Sequence, residues 1–544
     1  MTAVTVVVAL AIVAGALAAG SSPSKHAVSG NTLTIGVDNG SPTLQRNFNP
    51  YSGSKRTGVY YMYEPLEFVN PLNGAYTPFL ATGHRFVNPK TLQFTIRRGV
   101  KWSDGKSFTA ADVVFTFDLL KKNAGLDSTG IWQHVGSVSA KGRTVTFTFK
   151  TADVPFAQQV ASTLIVPKHI WAGISNPTTD TNPDPVVTGP YLLDSFNPNQ
   201  YTLKKNPNYW QANKVAASEL VFPALTGNQT SQLQLSRGAY DWATLFIPNV
   251  RKTWVSNDSA HNAFWFPPGG TITLYLNLTK APFNSLAFRQ GLSYALNRNE
   301  IATKAEDGYV QAASQSGLLL PNLKQWLSSS LPSQGDVAYN ASKAQAMFAK
   351  AGYHKHGSKL IGPNGKQVSF SLTTVSGFTD WLQGAQVIQQ QLRQAGINVS
   401  LQTPQYAEYF SSLQNGSYDT ALGGFGGTGS PYIDLSNLLS SSLTAPVGKP
   451  AASNFERWKN QQTDKLLAEF RSTTSKTKQM QDAAGLERIM YQQVPVIALF
   501  YGANWGEYST KSFTGWPSAS DPYAPPIPYN EAPLEIVTHL KAAT

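Results

Sequence analysis

"RRGVKWSDGKSFTAADVVFTFDLLKK", residues 97–122, changes character part-way along. It is entered from "TLQFTIRRGV" at 91–100, which reads as a strand. Ser103-Asp104-Gly105 then supplies turn chemistry, the glycine tolerating backbone angles that other residues resist. Thr109 stands where a helix N-cap belongs. Asp112, three residues on, completes a capping box and meets the positive end of the helix dipole. Downstream, "GSVSAKGRTVTFTFK" at 136–150 alternates apolar and polar residues on both sides of Lys141-Gly142, a hairpin signal. Strand, turn, capped helix and hairpin together predict a β-rich layer over about 71–184. The stretch from Gly99 to Ser107 approximates a P-loop, but five residues separate its glycines where four are needed. Val100 stands where the first glycine should be, so the turn and the cap explain these residues without phosphate binding.

The whole chain has 544 residues, more than one core can serve. Cores stop growing at roughly 250–300 residues, so two or three lobes are expected. Hydrophobic residues make up 41% and charged residues 14%, a globular composition with a polar but weakly charged surface. The net charge is +12, yet basic residues are spread thinly and cluster no further than pairs such as Arg97-Arg98 and Lys204-Lys205. Nucleic-acid binding would want them clustered on one element, so no nucleic-acid partner is expected. There is no cysteine, which excludes disulfides, thiolate metal sites and cysteine nucleophiles.

"AVTVVVALAIVAGALAA" at 3–19 is an apolar run followed by the polar Gly20-Ser21-Ser22-Pro23-Ser24. Ala16 and Ala18 form an A-x-A-like cleavage site, so residues 1–20 read as a secretory signal peptide and 21–31 as a flexible linker. No Lys or Arg precedes the apolar run, which places the natural start upstream as one alternative. "LAAGSS" is similar to the end of a bacterial lipoprotein signal without its acceptor cysteine. The mature protein is expected outside the cytoplasm, secreted or associated with the cell envelope.

Further along, "TLTIGV" at 32–37, "GPYLLDSF" and "QYTLKKN" read as strands, and "NPTTDTNPDP" from 176 as a boundary loop. "TSQLQLSRG" reads as a helix ending at Gly238, and "ITLYLNL" at 272–278 as a strand. One helix is predicted over 285–301, another over 341–351 stopped at Gly352. Over 380–394, Trp381, Ala385, Ile388 and Leu392 share one helical stripe. "INVSLQT", "YDTALGGF" at 418–425 and "PVIALFY" at 495–501 read as strands, with a helix over 479–492 before the last. Alternating strands and helices from about 285 onward predict an α/β lobe.

Several enzymatic chemistries lack their residues. "GFGGTG" at 424–429 fits the dinucleotide fingerprint letter for letter, but Pro431 follows two residues later and no acidic residue stands about twenty positions on. The eight histidines are scattered and none precedes a glutamate, which excludes H-E-x-x-H. Paired carboxylates for glycoside hydrolysis could come from distant loops, but Asp and Glu number only 31 and fall mostly beside turns and caps. No catalytic residue, metal or cofactor is predicted, and the chain is not expected to be an enzyme.

The opening stretch, 97–122, resembles the signature of the family 5 extracellular solute-binding proteins, the large receptors of peptide- and nickel-type bacterial ABC importers. The resemblance continues through "TGPYLL" and "KNPNYW" (188–193, 205–210), "QLSRGAYDWA" (234–243), "YLNLTKAPFNSLAFRQGLSYALNRNEI" (275–301), "AYNASKAQAMFAKAGY" (338–353) and "QQQLRQAGINVSLQ" (389–402). It implies an α/β fold of the two-lobed periplasmic-binding-protein kind, type II, the large class with an extra domain in the first lobe. Residues 32–70, 185–276 and 498–544 would form the first lobe, 71–184 the extra β-rich subdomain and 277–497 the second lobe. Hinge crossings are expected near 275–280 and 494–500, with ligand held between closing lobes. The resemblance also implies a monomer that hands its cargo to a two-subunit ABC permease, with ATP spent by the partners.

The glycine loop bears on the cargo. In peptide-binding relatives the matching stretch typically carries an aspartate that pairs with the ligand's amino terminus; here Gly426-Gly427-Thr428-Gly429 offers no carboxylate. Asp434 lies beyond it and is expected to cap the next helix. A buried unpaired ammonium is costly, which favours a neutral ligand. "GTGSPYID", "DWATLFIPN" (241–249), "FPPGGTITLYLNLTKAPF" (266–283) and "GWPSASDPYAPP" (515–526) look similar to relatives that take β-linked oligosaccharides. Aromatic faces cover sugar C–H surfaces while neutral polar groups bond hydroxyls. Trp242, Phe246, Trp265, Trp381, Phe425, Gly427, Thr428, Tyr432 and Trp505 are the expected ligand-binding residues, for a short oligosaccharide or, alternatively, an oligopeptide.

Overall fold

The computed structural model describes residues 31–37, 43–225 and 227–543; the apolar run at 3–19 and the linker before residue 31 lie outside them. No helix among the described residues is long and apolar enough to cross a membrane.

The opening stretch folds as its residues dictate. Lys101 bridges to Ser107 across a tight turn in which Gly105 has φ +87°. The Ala110–Lys122 helix follows, with the Thr109 hydroxyl accepting from Ala111 N–H and Asp112 returning a bond to Thr109 N–H at 2.9 Å. The helix lies on a four-stranded antiparallel sheet in the order Ala81–Asn88, Thr91–Ile96, Thr144–Phe149, Val135–Lys141. The last two strands form the hairpin predicted about Lys141-Gly142. This subdomain has its own sheet but not its own core. Phe94, Phe117 and Phe147 belong to the same buried cluster as Leu33, Tyr201 and Trp242 of the first lobe.

The first lobe is a seven-stranded mixed sheet in the order Asn262–Phe264, Glu507–Ser509, Trp242–Ala243, Thr32–Gly36, Glu219–Pro223, Gln200–Lys205, Tyr191–Asn197. The C-terminal helix, Ala532–His539, returns to pack here. The second lobe is a five-stranded sheet in the order Asn398–Gln402, Ser369–Thr373, Thr420–Phe425, Pro268–Leu276, Val496–Ala503. Its two faces alternate along each strand, as a strand's period of two requires. Leu274, Leu422 and Ile497 join one apolar cluster, and Tyr275, Ala421 and Val496 the other. The Thr379–Gln394 helix covers the first face through Ala385, Ile388 and Leu392, and the Tyr406–Asn415 helix covers the second through Tyr409 and Leu413.

Three expectations need correction. Strands 268–276 and 496–503 both belong to the second sheet, so the chain crosses between sheets at about 265–267 and 504–506, outside the expected 275–280 and 494–500. Both segments are long apolar strands, and their pairing along most of their length holds them together. The predicted helix over 285–301 is two helices, Leu286–Ala295 and Arg298–Ala305, because the Asn297 side chain caps the second by accepting from Glu300 N–H. Asp434 is not a cap. Ser430 caps the Pro431–Leu439 helix, and Asp434, buried one turn in, points back into the glycine loop.

Candidate ligand-binding cleft

The strands Ser369–Thr373, Asn398–Gln402 and Thr420–Phe425 run parallel, and their C-terminal ends point toward the two crossings. In open α/β sheets this edge is where ligands bind. The glycine loop leaves it directly. Gly426, Gly427 and Gly429 have φ of +81°, +82° and +76°, the left-handed region that glycine tolerates. A Cβ on Gly427 would collide with the carbonyl oxygen of Gly269, and one on Gly429 would come within 2.8 Å of the Asn70 carbonyl oxygen. The close approach is therefore to the protein's own backbone: the strand that begins at the crossing, and a turn of the first lobe. Packing against backbone thus accounts for the glycines, Gly427 among them, which was expected as a ligand-binding residue.

Asp434 fixes the loop. Its carboxylate accepts from Gly427 N–H at 3.2 Å, Thr428 N–H at 3.3 Å and the Thr428 hydroxyl at 2.7 Å. Burial pushes this carboxyl up to about 6, although the three bonds pull the other way. The Thr428 carbonyl in turn accepts from the Gln158 amide at 2.6 Å, joining the second lobe to the β-rich subdomain.

A second bridge lies beside the crossings. Asn249 N–H donates to Asp307 at 2.6 Å and Val250 N–H to the Tyr309 hydroxyl at 2.6 Å. Trp505 packs there against Phe266, Phe246 and Tyr309, with ring centroids at 4.7, 5.2 and 6.2 Å. Next to this cluster is a cavity of about 620 Å³. The start of the β-rich subdomain contributes Leu72 and Asn73 to its wall, the first lobe Ala519 and Pro522, the crossing Trp265, Phe266, Pro267 and Pro268, and the second lobe Tyr309, Val310, Gln311, Pro321, Asn322 and Tyr501. Its lining has four aromatic rings and three side-chain amides, and no ionisable carboxyl, ammonium, guanidinium or imidazole group.

The structure thus gathers some of the expected residues and disperses others. Trp265 lines the cavity, and Phe246 and Trp505 stand in the adjoining cluster. Phe425, Gly427 and Thr428 lie on the glycine-loop edge, where Trp381 comes within 3.9 Å of a Cβ placed on Gly424. Tyr432 faces a different hollow, shared with Asp153 and Phe156 of the β-rich subdomain. Trp242 is corrected: it is 0% exposed in the first lobe's core, its indole N–H bonded to the Pro526 carbonyl at 2.8 Å and its ring against Trp516. Tyr309, Gln311, Asn322 and Tyr501 were not anticipated. They stand in loops or on a buried strand and carry no motif.

Comparison with known proteins agrees with this fold. The sequence profile of the bacterial extracellular solute-binding proteins, family 5 middle region, matches residues 75–445. The nickel-binding periplasmic protein of Escherichia coli is 28% identical over 68% of this chain and 70% of its own length. The fold superposes on a periplasmic oligopeptide-binding protein of an oligopeptide ABC transporter from Thermotoga maritima with a TM-score of 0.87, at 27% identity, covering 95% of this chain and 100% of that one. A mannohexaose-bound structure of the same description gives a TM-score of 0.79, at 27% identity, covering 94% and 99%.

Proposed function

Since the chain belongs to the family 5 bacterial extracellular solute-binding proteins and is thereby a substrate-binding component of an ABC importer, we propose that its cargo is a short, β-linked oligosaccharide. Members of the family bind solute without turning it over and work in the periplasm or outside the cell. The observation that carries the proposal is the neutral lining of the cavity beside the crossings, in contrast to the hollow at Tyr432, which holds His134, Asp153, Asp464 and Arg471. A peptide brings an ammonium and a carboxylate, and burying either without a partner is costly. A sugar brings hydroxyls, which Asn73, Gln311 and Asn322 can bond, and flat C–H faces, which Trp265, Phe266 and Tyr309 can cover. The mannohexaose bound by the Thermotoga maritima relative lends support.

Closure follows from the bridges across the cleft. Ligand held by both lobes adds its contacts only when they meet, so it shifts the population toward the closed form, which delivers cargo to the permease. The alternative, an oligopeptide, is favoured by the names of relatives such as the oligopeptide-binding protein AppA of Bacillus subtilis, 26% identical over 75% of this chain. Thermal shift with manno-, cello- and xylo-oligosaccharides beside di- to pentapeptides separates the two, because ligand raises the melting point by mass action. A shift with one sugar series and none with peptides is expected; a shift with peptides alone overturns the saccharide reading.

A further inference from the structure

Large rings left open to water are uncommon outside binding surfaces, and the second lobe concentrates several at one edge. Phe378 is 41% exposed, Tyr406 55% and Phe410 36%. They form a row. Trp381 meets Phe378 at 5.4 Å, Phe378 meets Tyr406 at 6.1 Å, and Tyr406 stacks on Phe410 at 6.0 Å with 6° between the planes.

The topology says where the row points. Phe378 ends the loop after strand Ser369–Thr373, and Tyr406 opens the helix after strand Asn398–Gln402. Ser376 N–H donates to the Pro404 carbonyl at 2.9 Å, tying the two loops together. Both stand at the C-terminal ends of parallel strands, the same edge from which the glycine loop leaves the third. The first connection covers one face of the sheet and the second the other, so the chain reverses its winding here. That reversal opens a crevice at the strand ends. Trp381 packs against the clusters of both faces and so stands in this crevice, beside Gly424. The row therefore begins at the glycine-loop edge of the cleft and runs outward to the rim.

We propose that Phe378, Tyr406 and Phe410 form an outer subsite that stacks the overhanging units of longer oligosaccharides, beyond what the interlobe cavity holds. This rests on the saccharide reading of the cleft. Ring centroids 5.4–6.1 Å apart, with planes at 89°, 39° and 6°, give a continuous run of aromatic surface that ends in the parallel pair Tyr406–Phe410, and stacking on it asks for no counter-charge. Glu408, exposed on the first turn of the second of these helices, repels anionic chains and leaves neutral ones unaffected. The subsite makes affinity depend on ligand length, because only a chain that extends past the cavity meets Tyr406.

Calorimetry on the full chain with β-1,4-mannobiose and mannohexaose, and cellobiose and cellohexaose, tests this in wild type, Tyr406→Ala, Phe410→Ala and Tyr406→Phe. Loss of one stacked ring should weaken a hexasaccharide roughly three- to tenfold. The expected result is that loss for both alanine variants, no change for the disaccharides, and wild-type behaviour for Tyr406→Phe. Equal affinities of wild type and alanine variants for hexasaccharides overturn the subsite and leave the cleft reading standing, as does an equal loss for both lengths. Wild-type binding of peptides but no sugar of either length overturns both. The three rings are surface-exposed, and an unchanged melting point in the variants separates lost stacking from lost folding.

Discussion

Replacing Gly427 by alanine asks whether the glycine loop is shaped by the protein's own backbone. Two costs add. At φ +82° an L side chain is strained by roughly 1–2 kcal/mol. Gly448 provides the control: its φ is +84°, and a Cβ there meets nothing within 4 Å, so Gly448→Ala carries the backbone cost alone. The second cost is collision. A Cβ on Gly427 runs into the Gly269 carbonyl oxygen, with the Gly269 carbonyl carbon at 2.8 Å and Gly270 N at 3.4 Å. These are main-chain atoms of a strand paired on both sides, so the loop itself must move. Overpacking of this kind costs about 1–3 kcal/mol. Gly427→Ala should therefore cost roughly 2–5 kcal/mol against roughly 1–2 for Gly448→Ala. For a lobe of this size each kcal/mol lowers Tm by about 2–4 °C. Scanning calorimetry without ligand should separate the two variants by about 2–12 °C in the second-lobe transition. Equal losses would refute the argument, because the collision would then have been relieved at no cost.

Asp434→Asn should alter the pH dependence of stability. The folded value, about 6, lies above the ordinary 3.8, so the folded state holds the proton more tightly. The stability from that proton is complete below 3.8 and is lost as pH rises through about 6. Chemical denaturation should find wild type gaining roughly 2 kcal/mol on Asp434→Asn between pH 7 and pH 4; a constant difference would contradict it. Trp505→Ala and Trp242→Ala should fail differently. The half-buried Trp505 should cost ligand affinity tenfold or more in calorimetry with little loss of Tm, whereas the fully buried Trp242 should cost about 3–5 kcal/mol of stability. Tyr309→Phe removes the acceptor for Val250 N–H, a bond between the lobes; a net loss of about 1 kcal/mol in the closed form means about fivefold weaker ligand binding at unchanged Tm. An unchanged affinity would show that this bond does not favour closure.

Local chemistry was legible in the sequence. Thr109 and Asp112 form the capping box, Lys141-Gly142 turns the hairpin, and the Trp381–Leu392 stripe packs a helix on its sheet. Each depends on neighbours a few residues apart. Strand partners depend on distant segments, and there the reading slipped. The strand at 268–276 looked like a crossing because nothing in its residues says that it pairs with 420–425 and 496–503. Trp242 and Trp505 are the same residue type in similar apolar company, yet one is sealed in a core and the other borders the cleft. Side-chain identity fixes what a ring can do, not which surface it meets. Likewise nothing in the glycine run itself says that Gly269 and Gly74 press against it.

The way the two sheets draw on the chain also sets an order of assembly. Every strand of the second lobe falls within one uninterrupted stretch, 268–503. The first lobe begins at residue 32 but lacks its strand Glu507–Ser509 and helix Ala532–His539 until the chain is almost finished. In a chain emerging N-terminus first, domains usually complete in the order they appear. Here the later lobe has all its parts first, and the earlier one, together with the subdomain whose core it shares, waits for the last forty residues or so.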